Sequence, residues 1–172
     1  MVGSIALQRS FSASDRLANA QADLHRVADY MARDIRNATT IDATPSTSVA
    51  LTLTTADYYN RSGTPTNRAD DVANSPSLGR GGATYGANSV TIRYLKFGTQ
   101  IRREVSQVDA GATTASITQI ADNVDNLSVA IDAQGTVTID AASPMPYGRR
   151  KAGTQSPSVS FVMASRRRNS AL

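Results

Sequence analysis

A single stripe of apolar side chains runs along a segment from about Ser14 to Asn37. Leu17, Ala20, Leu24, Val27, Ala28, Met31 and Ile35 recur at steps of three and four, so they stack on one side of an α-helix. Asp15, Arg16, Asp23, Arg26, Asp29, Arg33, Asp34 and Arg36 fall mainly elsewhere. Ser12 or Ser14 is placed to cap the first amide groups, Asp15 suits the positive end of the helix, and Arg33 and Arg36 suit the negative end. A helix with one narrow, alanine-rich face gains little stability by itself. The rest of the chain must therefore supply a surface for that face to pack on.

Alternation downstream points to β-strands as that surface. Val49, Leu51 and Leu53 share one side of a segment from Ser48 to Thr55. Val90, Ile92 and Tyr94 do the same, and Gly98-Thr99 turns the chain into a second strand over Gln100 to Ser106. Ile117 and Ile120 lead into a short turn at Ala121 to Val124. Leu127, Val129 and Ile131, then Val137 and Ile139 across Ala133-Gln134-Gly135, predict another hairpin, and Val159, Phe161 and Met163 a last strand. Between them, Ala56 to Asn88 and the stretch from Ala141 to Pro157 carry Gly and Pro and few large apolar residues, the pattern of surface excursions.

The expected fold class is α+β: one N-terminal helix packed on an antiparallel β-sheet of roughly six strands, with long loops. Residues 1–13 are expected as an appended remnant or a flexible N-terminal extension. A globular domain then covers 14–164 (helix 14–37, sheet from 48 onward, loop 56–88), and 165–172 form a basic, flexible tail.

Composition limits the chemistry. Leu, Ile, Val and Phe supply 33 of 172 residues, about 19 %, whereas alanine alone supplies 26. That suits a thin helix-and-sheet module better than a thick enzyme core. There is no cysteine, hence no disulfide, thiolate nucleophile or cysteine-based metal site. His25 is the only histidine, so two-histidine metal motifs are excluded and any Ser-His-Asp triad would depend on it. Asp29, one turn after His25, could orient its imidazole, but no nucleophile or ligand set can be assigned beside it, and a helix-surface histidine is the plainer reading.

Other acidic and glycine-rich clusters are similarly bland. Asp70-Asp71 and Asp122/Asp125 are the paired carboxylates available for acid–base work. The oxygens of Asp122-Asn123-Val124-Asp125-Asn126 could hold a cation, but the spacing and terminal Glu of an EF-hand loop are absent, and a solvated turn is preferred. Gly79-Arg80-Gly81-Gly82 has neither the Lys-Ser/Thr of a phosphate loop nor a strand–turn–helix setting. No catalytic residue, metal ligand or cofactor site is assigned, and the chain is read as a non-enzyme.

The net charge of +4 is a tail effect: from Arg149 onward there are six basic residues and no acidic one. Arg149, Arg150, Lys151, Arg166, Arg167 and Arg168 are therefore candidate contacts to DNA phosphates or another anionic surface. No apolar run reaches the ~18–20 residues of a membrane-crossing helix.

The segment Leu24-His25-Arg26-Val27-Ala28-Asp29-Tyr30-Met31-Ala32-Arg33-Asp34-Ile35-Arg36-Asn37-Ala38-Thr39-Thr40-Ile41 resembles the end of the long helix in type IV minor pilins and type II secretion minor pseudopilins, closest to their PilW/GspJ-like branch. Ile120 to Val129 is similar to that family's passage into a strand with a nearby return strand. Val90 to Tyr94, Ile101 to Arg103 and Val159 to Ala164 extend the likeness over most of the globular chain.

The resemblance implies a pilin-like fold and a structural role in assembly, initiation or the tip of a type IV pilus or type II secretion pseudopilus. The implied partners are other minor and major pilins or pseudopilins and the inner-membrane assembly machinery. The implied location is the inner membrane with a periplasmic domain, in a filament reaching the cell surface. It also implies a transmembrane helix and methylation. The family's basic leader, cleavage site and strongly apolar first helix are not found in this sequence, so the chain is expected to be the soluble domain without its membrane-spanning segment. Leu17, Ala20, Leu24, Val27, Ala28, Met31 and Ile35 are then the face that packs on the sheet or on neighbouring subunits. The competing reading is a polyanion-binding module built on the two basic clusters.

Overall fold

The computed structural model describes residues 2–44, 46, 48–56, 77–80, 82–84, 89–109, 112–133, 135–143 and 157–164. A single helix, α1 (Val2–Asn37), opens the chain. It runs straight into strand β1 (Ala38–Asp42), followed by β2 (Val49–Ala56), β3 (Ser77–Gly79), β4 (Gly82–Thr84), β5 (Ser89–Phe97), β6 (Gln100–Asp109), β7 (Ala112–Ala121), β8 (Asn126–Ile131), β9 (Thr136–Ala142) and β10 (Ser158–Ala164). All pairings are antiparallel. Five strands form one sheet in the order β1-β2-β5-β6-β7, three form a second in the order β10-β9-β8, and β3-β4 is a separate small hairpin. The helix-on-antiparallel-sheet α+β architecture is thus the one the alternation and the helical stripe predict.

Several details differ from the expectation. The helix begins at Val2, so Ser12 and Ser14 lie inside it and are not caps. The sheet begins at Ala38, without the expected interval before residue 48. Ala38 to Asp42 contains one large apolar residue, Ile41, and its extended state comes from pairing with β2, Ala38 opposite Thr55 and Asp42 opposite Thr52. Hydrogen bonds from the Thr44 hydroxyl and amide close the turn after β1 and hold the Asp42 carboxyl below its usual range. Within the expected 56–88 loop, β3 pairs with β4, Gly79 opposite Gly82. The described residues contain ten strands in place of six.

The predicted membrane-crossing helix is corrected. Among the described residues no helix is long and apolar enough to cross a membrane. In α1 the periodic charges that make one face polar also keep any continuous apolar run from forming.

Two tight turns have their expected residues. Gly98 (φ +58°) turns β5 into β6, and Gly135 (φ +81°) precedes β9, both in the left-handed region that glycine enters without a Cβ clash. The core gathers Leu24, Val27, Met31 and Ile35 of α1 with Leu51, Leu53, Ile92, Tyr94, Ile101 and Ile120 of the larger sheet and Leu127, Val137 and Ile139 of the smaller one. Leu53 faces Ile92 across β2–β5, and Leu51 faces Tyr94, so one face of the large sheet is the floor under the helix.

Candidate functional site

The helix enters the core at Ala20, and from there Leu24, Val27, Met31 and Ile35 are buried. Ala28 is half-buried, whereas Leu17, on the same stripe, is 41 % exposed. Residues 14–19 are all exposed, as is Phe11. The stripe therefore overshoots the sheet. Residues 20–37 of α1 are docked, and before them Phe11 and Leu17 are apolar positions that the domain leaves exposed.

Two polar contacts hold the docked half. At its C-terminal end, Asp34 is buried although the charge pattern places it among the polar-side residues. It lies seven residues after Val27, about two helical turns, and hence at the edge of the apolar stripe. Tyr94 Oη donates to Asp34 Oδ2 at 2.5 Å. Arg103 grips both carboxylate oxygens, Nε to Oδ2 at 2.7 Å and Nη2 to Oδ1 at 3.1 Å. The two sheet residues are directly opposed across β5–β6, so their side chains rise from one face toward the helix. The Arg103 guanidinium also lies 6.0 Å from the Tyr30 ring centroid, at the outer limit of a cation–π contact.

The electrostatics follow from this arrangement. Burial, then the Asp34 carboxylate receiving its hydroxyl, pushes Tyr94 far above the ordinary phenol value and keeps it a neutral donor. Burial by itself would lower Arg103, but its bonds to Asp34 outweigh this and raise it. The result is a fixed cation–carboxylate–phenol triad whose bidentate geometry admits one orientation of the helix on the sheet. Apolar burial at ~2 kcal/mol per large side chain supplies most of the docking energy, and the triad sets the register.

At the other end, Arg26 Nη1 donates to Asp23 Oδ1 at 3.5 Å and to the Ile120 carbonyl at 3.3 Å. Asp23 Oδ2 accepts from the Asp122 amide at 3.3 Å and from Asn123 Nδ2 at 3.1 Å. The 122–125 turn is thus a junction. Val124 is buried and its amide donates to Thr99, while the Asp125 amide donates to Ala142 of the second sheet. The Gln119 side-chain amide donates to the Asp122 carboxylate. With these groups committed to helix and sheet, the turn reads as a structural corner. Among the described residues no cluster of three or more His, Asp or Glu side chains is placed to hold a metal ion.

His25 and Asp29 are exposed on α1. Arg80 sits in the exposed β3–β4 turn. Asp70-Asp71 and the basic groups Arg149, Arg150, Lys151, Arg166, Arg167 and Arg168 lie outside the described residues. Asp34, Tyr94, Arg103, Asp23 and Arg26 were not singled out by sequence. The available signals were the position of Asp34 two turns after Val27 and a lone aromatic, Tyr94, continuing the apolar side of β5.

No family model matches the chain, and neither any curated protein nor any solved structure matches it.

Proposed function

We propose that this chain is a structural subunit of a filament of the type IV pilus or type II secretion pseudopilus kind, occupying a minor position in its assembly, initiation or tip. The observation that supports this is the division of α1: residues 20–37 are fastened to the sheet, while residues 14–19 and Phe11 stay exposed with Leu17 still on the apolar stripe. A one-faced helix held rigidly at one end presents its other end to neighbouring subunits, and helix-to-helix packing along such a stripe is how a filament buries it. The triad at Asp34 gives the head a fixed orientation on its stalk, which a repeating assembly requires. The role is assembly rather than turnover, at the periplasmic face of the inner membrane. Other pilins or pseudopilins and the assembly machinery are the partners.

The absence of native cysteine makes the test clean. Leu17→Cys and Phe11→Cys, each expressed with the native filament system, are expected to cross-link to a second subunit through a short bifunctional thiol reagent. Ser158→Cys, on an exposed position of β10, serves as the reference. Cross-linking equal at all three positions, or absent from both helix positions, contradicts the reading.

A further inference from the structure

Strand β7 is an edge of the five-stranded sheet. It is ten residues long, and Thr113 to Gln119 are exposed on both faces. From Ala110 to Ala121 the sequence has no charge and no proline. Edge strands are ordinarily protected from further pairing by charge, proline, shortness, bulges or a cover. Here the one irregularity, an extra residue at Ile120 against Ile101–Arg102, lies at the far end and leaves Ala112 to Gln119 in unbroken register with β6. Alternate residues of that run turn their N–H and C=O away from β6, with no strand paired to them among the described residues.

The other described edges are less open. β1 is short and ends in Asp42, and β8 lies between Asp125 and Asp132. β3 and β4 are three residues each, and β10 alternates half-buried with exposed residues. α1 packs beside β7 as it does beside β10, with Arg26 Nη1 on the Ile120 carbonyl, but Thr113 to Gln119 stay exposed. Charge also marks the two ends of β7. Asp109 closes β6 opposite Ala112, and Asp122 follows Ala121.

We infer that β7 is a strand-addition site for an extended segment of another protein, uncharged in its centre and carrying Lys or Arg at each end. The backbone row supplies pairing, and the acidic residues at the ends select the flanking charge. Pairing of β7 with a second copy of itself is disfavoured: full overlap sets Ala112 against Ala121 and brings Asp122 of one copy toward Asp109 of the other at both ends. This surface is distinct from the exposed half of α1, so the inference stands or falls separately from the filament reading.

The probe is a short, soluble Thr/Val peptide with Lys at both ends, compared with its Glu-ended counterpart. The Lys-ended peptide is expected to slow amide exchange in β7 by about tenfold, and the Glu-ended one by less than about twofold. Ala115→Lys and Ile117→Lys, both at exposed positions, are expected to abolish the protection without shifting the unfolding midpoint. No slowing by either peptide, equal slowing by both, or persistence in the folded Lys variants would overturn the inference. So would concentration-dependent self-association that protects β7, which would make the occupant a second copy.

Discussion

At the scale of single residues, the arrangement around Asp34 decides how the helix sits. Its carboxylate is buried and receives three donors from two sheet residues. Removing the acid leaves the Arg103 cation partly desolvated and the Tyr94 hydroxyl without its acceptor. Asp34→Ala is therefore expected to cost ~3 kcal/mol in denaturant unfolding. The double replacement Asp34→Leu with Arg103→Met is expected to lose less than that single change, since no unpaired charge remains. Tyr94→Phe deletes one bond to a charged group and is expected to cost ~1.5–2 kcal/mol. It also has a signature in pH. The folded protein holds the Tyr94 proton more tightly than the unfolded chain, whose tyrosine titrates near 10.0. The stabilisation is complete below that value and declines as pH rises past it, by up to ~1.4 kcal/mol per pH unit. Unfolding measured from pH 9 to 11.5 should fall less steeply for Tyr94→Phe than for the wild type, and parallel curves would remove the phenol from the account.

At the scale of elements, α1 is docked over residues 20–37 and exposed over residues 14–19. Leu24→Asp puts an unpaired charge where the side chain is 1 % exposed and is expected to cost ~3–4 kcal/mol, read from thermal or denaturant unfolding. Asp23→Ala, which releases the 122–123 turn, is expected to cost ~1 kcal/mol and to speed exchange of the Asp122 amide. The docked half was legible because period 3.6 survives from Leu17 to Ile35, and both predicted hairpins were legible from alternation on either side of a glycine turn. The start of the helix was not, because Ser12 and Ser14 read as caps while helix propagation carries through them. β1 and β7 were illegible for another reason. Their Thr, Ala and Ser residues have weak periodicity, and their extended state is imposed by pairing with β2 and β6. The triad escaped notice because it joins one carboxylate on the helix to two residues met only when β5 and β6 pair.

At the scale of the whole molecule, the 122–125 corner ties the helix, the larger sheet and the smaller sheet together, so the head is a rigid mount for the free half of α1. The central claim is that this free half serves contacts between subunits and not the stability of the domain. Leu17 separates the two, being on the apolar stripe yet 41 % exposed. The decisive measurement is the amount of Leu17→Asp protein recovered in filaments sheared from cells, taken beside the unfolding midpoint of the same variant. The account predicts a midpoint within ~0.5 kcal/mol of wild type in stability terms and a loss of most filament incorporation. Incorporation at the wild-type level, with the domain equally stable, would contradict it.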